Sequence, residues 1–199
     1  MDARLERARI IVFDVGNVLL RFQPEKVIAL LPADRQKPLF EALFGEGHLW
    51  NELDHGVESN QTIARRAAQA AGCPDWEADA LRLLDLFPGT LTPLPLYHLL
   101  APLRAQGKRL YGLTNYPEPA FTRTCELFPE LVRQLEGIVV SSREKRVKPD
   151  EAFFRLLMER YRVDPRDALF IDDNEQNVSA AARLGFSVWH YAGADRLQD

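Results

Sequence analysis

The chain lacks most of the features that mark a secreted, membrane-embedded or nucleic-acid-binding protein. It has two cysteines, Cys73 and Cys125. They could form one bridge, but their spacing gives no disulfide framework, so reduced thiols are expected. No apolar run approaches the roughly 20 residues of a membrane-spanning helix. The opening MDARLERARI is charged and carries no apolar secretion segment. A cytoplasmic protein without a membrane partner is therefore expected. Positive charge is not in surplus: 25 Lys and Arg against 29 Asp and Glu give a formal charge of −4. Without an extended basic face, nucleic acid is not an expected partner. Internal repeats and low-complexity segments are also missing, which argues against a solenoid or a linker.

What is present is a 199-residue chain, 46% hydrophobic, long enough for one sizeable core plus a small accessory unit. Segment 9–15, RIIVFDV, is a continuous apolar run closed by an acid and followed by Gly16 and Asn17. That pattern predicts a buried parallel strand ending in a loop. Similar runs span Lys108 to Thr114, Gly137 to Ser141, Ala168 to Asp172 and Ser187 to Tyr191. Helical patterns lie between them, at about 93–106, 117–128, 150–161 and 175–184. The alternation predicts an α/β fold, Rossmann-like, with a doubly wound and mostly parallel sheet.

Residues 22–90 break the alternation. They hold amphipathic patterns at 33–46, 59–71 and 75–87, punctuated by Pro32, Gly45, Gly56 and Gly72, with no convincing strand. This predicts a helical cap (22–90) inserted into a core made of 1–21 and 91–199.

Four short signals end four of the predicted strands. They are Phe13-Asp14-Val15-Gly16-Asn17, Leu113-Thr114-Asn115, Val147-Lys148-Pro149-Asp150 and Ile171-Asp172-Asp173-Asn174. A phosphate dianion repels a carboxylate unless fixed positive charge neutralises both. Asp14, Asp172 and Asp173 offer hard oxygen ligands for a divalent cation, and Lys148 offers a point charge. Thr114 and Asn115 offer oriented donors. No histidine or cysteine sits at these strand ends, so Mg²⁺ suits the set better than Zn²⁺.

Taken in order, the four segments resemble the four motifs of the haloacid dehalogenase superfamily, and the insert falls where a C1-type cap interrupts that family's core. The resemblance implies a Mg²⁺-dependent phosphatase in which Asp14 attacks phosphorus and forms an aspartyl-phosphate. It also implies that Asp14, the Gly16 carbonyl and Asp173 bind the metal, with Asp172 reaching it through water. Thr114 and Lys148 would hold the phosphoryl group, with Asn115 beside them.

Most phosphatases of the superfamily carry a second aspartate two residues after the nucleophile, as general acid and base. Here that position is Gly16. FDVGNVL resembles a bacterial subgroup that includes an α-D-glucose-1-phosphate phosphatase, which implies a small sugar phosphate or similar metabolite as substrate. The replacement acid could come from the insert, with His48, Glu52, Asp54 and His55 as candidates. Two other readings are a dehalogenase-type hydrolase, which needs no metal, and a catalytically impaired phosphate-binding protein. His98 and His190 are expected to be structural, Asn177 is a candidate for orienting the metal site, and a monomer or homodimer is expected.

Overall fold

In a computed structural model of the chain, which describes residues 2–45 and 49–191, the apolar runs become strands. In chain order these are β1 (Ile10–Phe13), β2 (Leu20–Arg21), β3 (Thr92–Pro93), β4 (Arg109–Thr114), β5 (Gly137–Val140), β6 (Ala168–Asp172) and β7 (Ser187–His190). Five of them form one parallel sheet in the order β5-β4-β1-β6-β7. The chain moves outward from β1 through β4 to β5, then returns to β1's other side for β6 and β7. β1 is thus the switch point, and ligand crevices form outside the carboxyl ends of strands at such points.

Alternate residues of each strand face opposite sides of the sheet. Ile11, Phe13, Leu110 and Ile171 join one buried cluster, while Ile10, Val12, Tyr111 and Phe170 join another with Phe153, Phe154 and Leu157. Helices Pro95–Ala105, Glu118–Leu127, Glu151–Tyr161 and Glu175–Arg183 occupy the positions that the sequence pattern predicts. Asp150 and Asn174 cap the last two, accepting from Ala152 N at 2.9 Å and Gln176 N at 2.8 Å.

β2 and β3 pair antiparallel, Leu20 opposite Pro93 and Arg21 opposite Thr92, so the chain leaves and rejoins the core through one two-stranded stem. Between them lie Ala33–Phe44, Asn60–Ala70 and Glu77–Leu86, with two further short helices, Pro24–Ile28 and Trp50–His55. The latter two escape sequence prediction because five or six residues are too short to display helical periodicity. Leu39, Leu43, Leu53, Ile63 and Leu83 of this segment share the buried cluster of Phe13 and Ile171, so one apolar layer runs from sheet to insert. β1 stops at Phe13, one residue before the nucleophile candidate. The Asp14 N–H still donates to the Ile171 carbonyl at 2.9 Å before the chain turns.

Cys73 and Cys125 are both unpaired. Among the described residues no helix is long and apolar enough to cross a membrane.

Candidate functional site

Asp14 directly follows β1, and Asp172 and Asp173 end β6 beside it. One carboxylate oxygen from each lies within 4.8 Å of the other two. Lys148 enters this cluster from the loop before helix Glu151–Tyr161. Its Nζ lies 3.0 Å from Asp14 Oδ1 and 2.6 Å from Asp172 Oδ2, and its side chain is 1% exposed. Burial works against the ammonium, but the carboxylates of Asp14 and Asp172 outweigh it and raise its pKa. Burial likewise raises the pKa of Asp14, with Lys148 opposing and Asp172 and Asp173 adding to the rise.

The donors around the cluster fix each group's role. Asp172 accepts at Oδ1 from Asn174 N (2.8 Å) and Asn177 Nδ2 (3.0 Å), and at Oδ2 from Lys148 and again from Asn177 (3.2 Å). Such a fully engaged carboxylate orients its neighbours. Asp173 is raised by burial and by Asp172, while a hydrogen bond from Asn17 pulls it back. Asn17 has φ of 52° and accepts from Phe22 N at 3.0 Å, so its amide bridges the turn after β1 to Asp173. The sequence reading gave Asn17 no role, because an asparagine in a turn is ordinarily explained by its tolerance of positive φ.

Asn115 lines the same cavity as Asp14, and its amide anchors the lysine loop. Its Oδ1 accepts from Lys148 N at 2.9 Å and its Nδ2 donates to Lys148 O at 3.1 Å, so it fixes the lysine's backbone. Thr114, at the end of β4, is fully buried, and its Oγ1 has no hydrogen-bond partner. Buried hydroxyls are rarely left this way, and an orphaned one at a strand end is a vacant donor.

The insert closes over these strand ends. Asp14, Gly16, Asn115 and Asp173 form one end of a cavity of about 270 Å³, and Phe22, Trp50, Asp54 and Phe87 line the rest. Of the four candidate replacement acids, Asp54 alone is shown lining it. Glu52 pairs with Arg66 at 2.5 and 2.7 Å, and exposed His55 bonds the Asn51 carbonyl at 2.8 Å. His48 lies outside the described residues. Asp54 Oδ1 is buried without a partner. Burial, then the negative charge of Asp14, pushes the Asp54 carboxyl up to about 8, against Lys148.

Ser141 holds Asp54 in place. Its Oγ donates to the Asp54 carbonyl at 2.5 Å and accepts from Tyr116 N at 2.9 Å. The next contact is tighter still: a Cβ on Gly56, at φ 64°, would lie 2.3 Å from the Ser142 carbonyl oxygen. Only glycine lets the insert dock this closely. His190 Nε2 lies 2.9 Å from the Asp173 carbonyl, and His98 is exposed on its helix against Tyr97.

The donor set fits a hard divalent cation. Three clustered carboxylates face a single ammonium, all ligand atoms are oxygens, and no imidazole or thiol joins the cluster among the described residues.

A parallel sheet with a carboxylate cluster and a buried lysine at its switch point defines a Rossmann-like hydrolase. The chain belongs to the haloacid dehalogenase-like hydrolases, a family that matches residues 8–185. It is 26% identical over 181 residues to the sesquiterpene phosphatase astK of Aspergillus oryzae, covering 90% of this chain and 87% of that one. It is 24% identical over 202 residues to flavin mononucleotide hydrolase 1 of Arabidopsis thaliana, covering 98% and 77%. Among solved structures, a family enzyme of Bacteroides thetaiotaomicron, in complex with magnesium and inorganic phosphate, superposes with a TM-score of 0.72 at 22% identity. The match covers 92% of this chain and 93% of that one. The L-2-haloacid dehalogenase of Xanthobacter autotrophicus superposes at 0.65, with 19% identity and coverage of 91% and 76%. One fold thus serves phosphate and halide chemistry, and only the site can separate them.

Proposed function

We propose that the chain is a Mg²⁺-dependent phosphatase of small phosphate monoesters, with Asp14 as nucleophile and residues 22–90 as a cap over the site. The observation that carries this reading is the charge imbalance: three carboxylates around one ammonium call for a cation that carbon–halogen hydrolysis does not need. The Thr114 hydroxyl, buried at the end of β4 without a partner, supports a phosphoryl oxygen as the missing acceptor. The phosphatase and mononucleotide hydrolase among the relatives point the same way.

Mg²⁺, held by Asp14, Asp173 and the Gly16 carbonyl, would neutralise phosphoryl charge and polarise phosphorus. Lys148 cancels the charge of Asp14 and Asp172 so that Asp14 can approach an anionic ester. Asp14 attacks phosphorus in line, the bond from phosphorus to the leaving oxygen breaks, and Asp54 gives that oxygen its proton. Water then attacks the aspartyl-phosphate, loses its proton to Asp54, and releases Asp14 and inorganic phosphate. Burial keeps Asp54 protonated for the first step. The Ser141 and Gly56 contacts keep it over the site.

The test is phosphate release from p-nitrophenyl phosphate with Mg²⁺. Activity should vanish in EDTA, and Asp14→Asn should lower kcat by at least about 10⁴-fold. EDTA-insensitive release of halide from a 2-haloacid would replace this reading with the dehalogenase one.

A further inference from the structure

The cavity has a second half that the phosphate chemistry does not use. Beyond Asp14 and Asp173 its wall is built from Leu20, Phe22, Trp50, Phe87, Leu91 and Tyr116. The rings interlock: Trp50 and Phe87 have centroids 4.9 Å apart, Phe22 and Trp50 5.3 Å, Phe22 and Phe87 5.6 Å. Phe44 backs Trp50 at 5.1 Å, so the wall is packed rather than loosely gathered. Leu20, Phe87, Leu91 and Tyr116 are buried.

Most of the described polar side chains that could serve a hydroxylated ligand are already engaged. The Tyr116 hydroxyl bonds Thr124 Oγ1 at 2.8 Å, which leaves its ring to the cavity. Asn115 is committed to the backbone of Lys148, and Asn17 to Phe22 N and Asp173. Asn51 and Asp54 remain. Among the described residues no lysine or arginine lines this half, so none of them clamps a second phosphate or a carboxylate on the leaving group.

We infer that the leaving group is an uncharged, apolar alcohol or phenol, and that the aromatic wall of the insert selects it against sugars and diphosphates. The inference rests on the phosphatase reading for its phosphoryl end and on the lining for the rest. Size sets an upper bound. A cavity of roughly 150 Å³ holds a benzene ring, so about 270 Å³ takes a phosphoryl group and one ring or short branched chain. Each sugar hydroxyl pressed against this wall without a partner would weaken binding about tenfold. Each buried methylene of an apolar group would strengthen it about fourfold.

The experiment compares two primary-alcohol esters, benzyl phosphate and glycerol 3-phosphate, so that leaving-group protonation is similar for both. With Mg²⁺, kcat/KM should favour the benzyl ester by at least about tenfold. In parallel, calorimetry on the wild-type protein with Mg²⁺ compares benzylphosphonate with 2,3-dihydroxypropylphosphonate, neither of which can be turned over. Benzylphosphonate should bind at least about tenfold tighter, with a negative heat-capacity change. Trp50→Leu should keep most of the preference and Trp50→Gln should lose it.

The two readings fail separately. If neither ester is hydrolysed but benzylphosphonate still binds preferentially, the phosphatase proposal falls and the apolar wall stands. If the two phosphonates bind equally, if neither binds, or if the glycerol compounds are preferred, the apolar inference is overturned while turnover can still hold. A preference untouched by Trp50→Gln would also overturn it.

Discussion

The two walls of the cavity are built on opposite principles. On the core side nearly every polar group is committed: Asp172 accepts on both oxygens, Asn115 bonds Lys148 twice, and Lys148 bridges two carboxylates. On the insert side the wall is rings, with one carboxyl, Asp54, whose Oδ1 bonds nothing. A saturated network at strand ends holds its geometry to the fraction of an ångström that chemistry needs. An apolar wall on helices sorts by shape and can change without disturbing the network. Beyond the apolar layer they share, the two sides are joined by polar contacts from Ser141 to the Asp54 carbonyl and from Lys145 to the Gly56 carbonyl. On the proposed reading the core carries the attack on phosphorus, and the insert carries selection and, through Asp54, the proton.

The comparison breaks most visibly at Lys148. Lys148→Met should leave Asp14 and Asp172 buried without their shared partner. Removing one member of a buried ion pair costs about 3–5 kcal/mol, and losing the charge that shields the nucleophile should lower kcat/KM by at least about 10³-fold. A melt and a rate assay at pH 7 check both. High Mg²⁺ should restore part of the stability, because a cation can occupy the same carboxylate cluster. A variant as stable and active as the wild type would show that the core wall is not held by this charge balance.

Asp54→Asn probes the other wall. It should lower kcat by about 10²–10³-fold for alkyl phosphates and much less for p-nitrophenyl phosphate, whose leaving group needs little protonation. Gly16→Asp offers a sharper form. A Cβ at Gly16 meets nothing within 4 Å, so an aspartate fits there, at the position where relatives of this superfamily usually carry their acid. In the Asp54→Asn background Gly16→Asp should recover alkyl phosphate turnover. Equal losses for both substrate types would assign Asp54 a structural role.

The core wall was legible in the sequence and the insert wall was not, for a physical reason. Asp14, Thr114, Asp172 and Asp173 sit at or just past strand ends, visible as apolar runs that stop at a polar residue, while Lys148 is marked by the proline that follows it in the loop before a helix. Parallel pairing then brings those ends together without further information. The helices of the core follow from the same alternation, whereas the sheet order is seen only in the fold. Trp50, Phe22, Phe87 and Asp54 come from the link after β2, a six-residue helix and a 3₁₀ turn, and their meeting depends on how several short elements pack. Asp54 therefore stood among four candidates until its neighbours were known. Ser141 was invisible as a latch, because one serine after a strand has no pattern to distinguish it.

A smaller effect separates Asp54 from the rest of the cluster by pH. Its carboxyl sits at about 8 in the folded chain against an ordinary value of 3.8, because burial penalises the charged form. A raised folded value means the stabilising contribution is complete below about pH 4 and is lost as pH rises through about 8. In EDTA, therefore, the wild type should lose stability between pH 5 and 8 faster than Asp54→Asn. The Tm gap should widen in favour of the variant by about 2 °C or more. Parallel Tm profiles would show that the carboxyl is solvated in solution.

Thr114→Val gives the smallest effect and the cleanest contrast. Valine matches threonine in shape and suits a strand, and the Thr114 hydroxyl makes no hydrogen bond that the change would break. Removing a buried donor that has no partner relieves its desolvation cost, so stability should hold or rise by up to about 1 kcal/mol. A hydroxyl kept for a phosphoryl oxygen should instead be missed in the transition state, lowering kcat/KM about tenfold and weakening inhibition by inorganic phosphate. The two readouts then move in opposite directions, which a packing role cannot produce, because damage to packing lowers both. If stability and kcat/KM fall together, the vacancy at the end of β4 is structural, and the core wall contains a polar group with no part in the reaction.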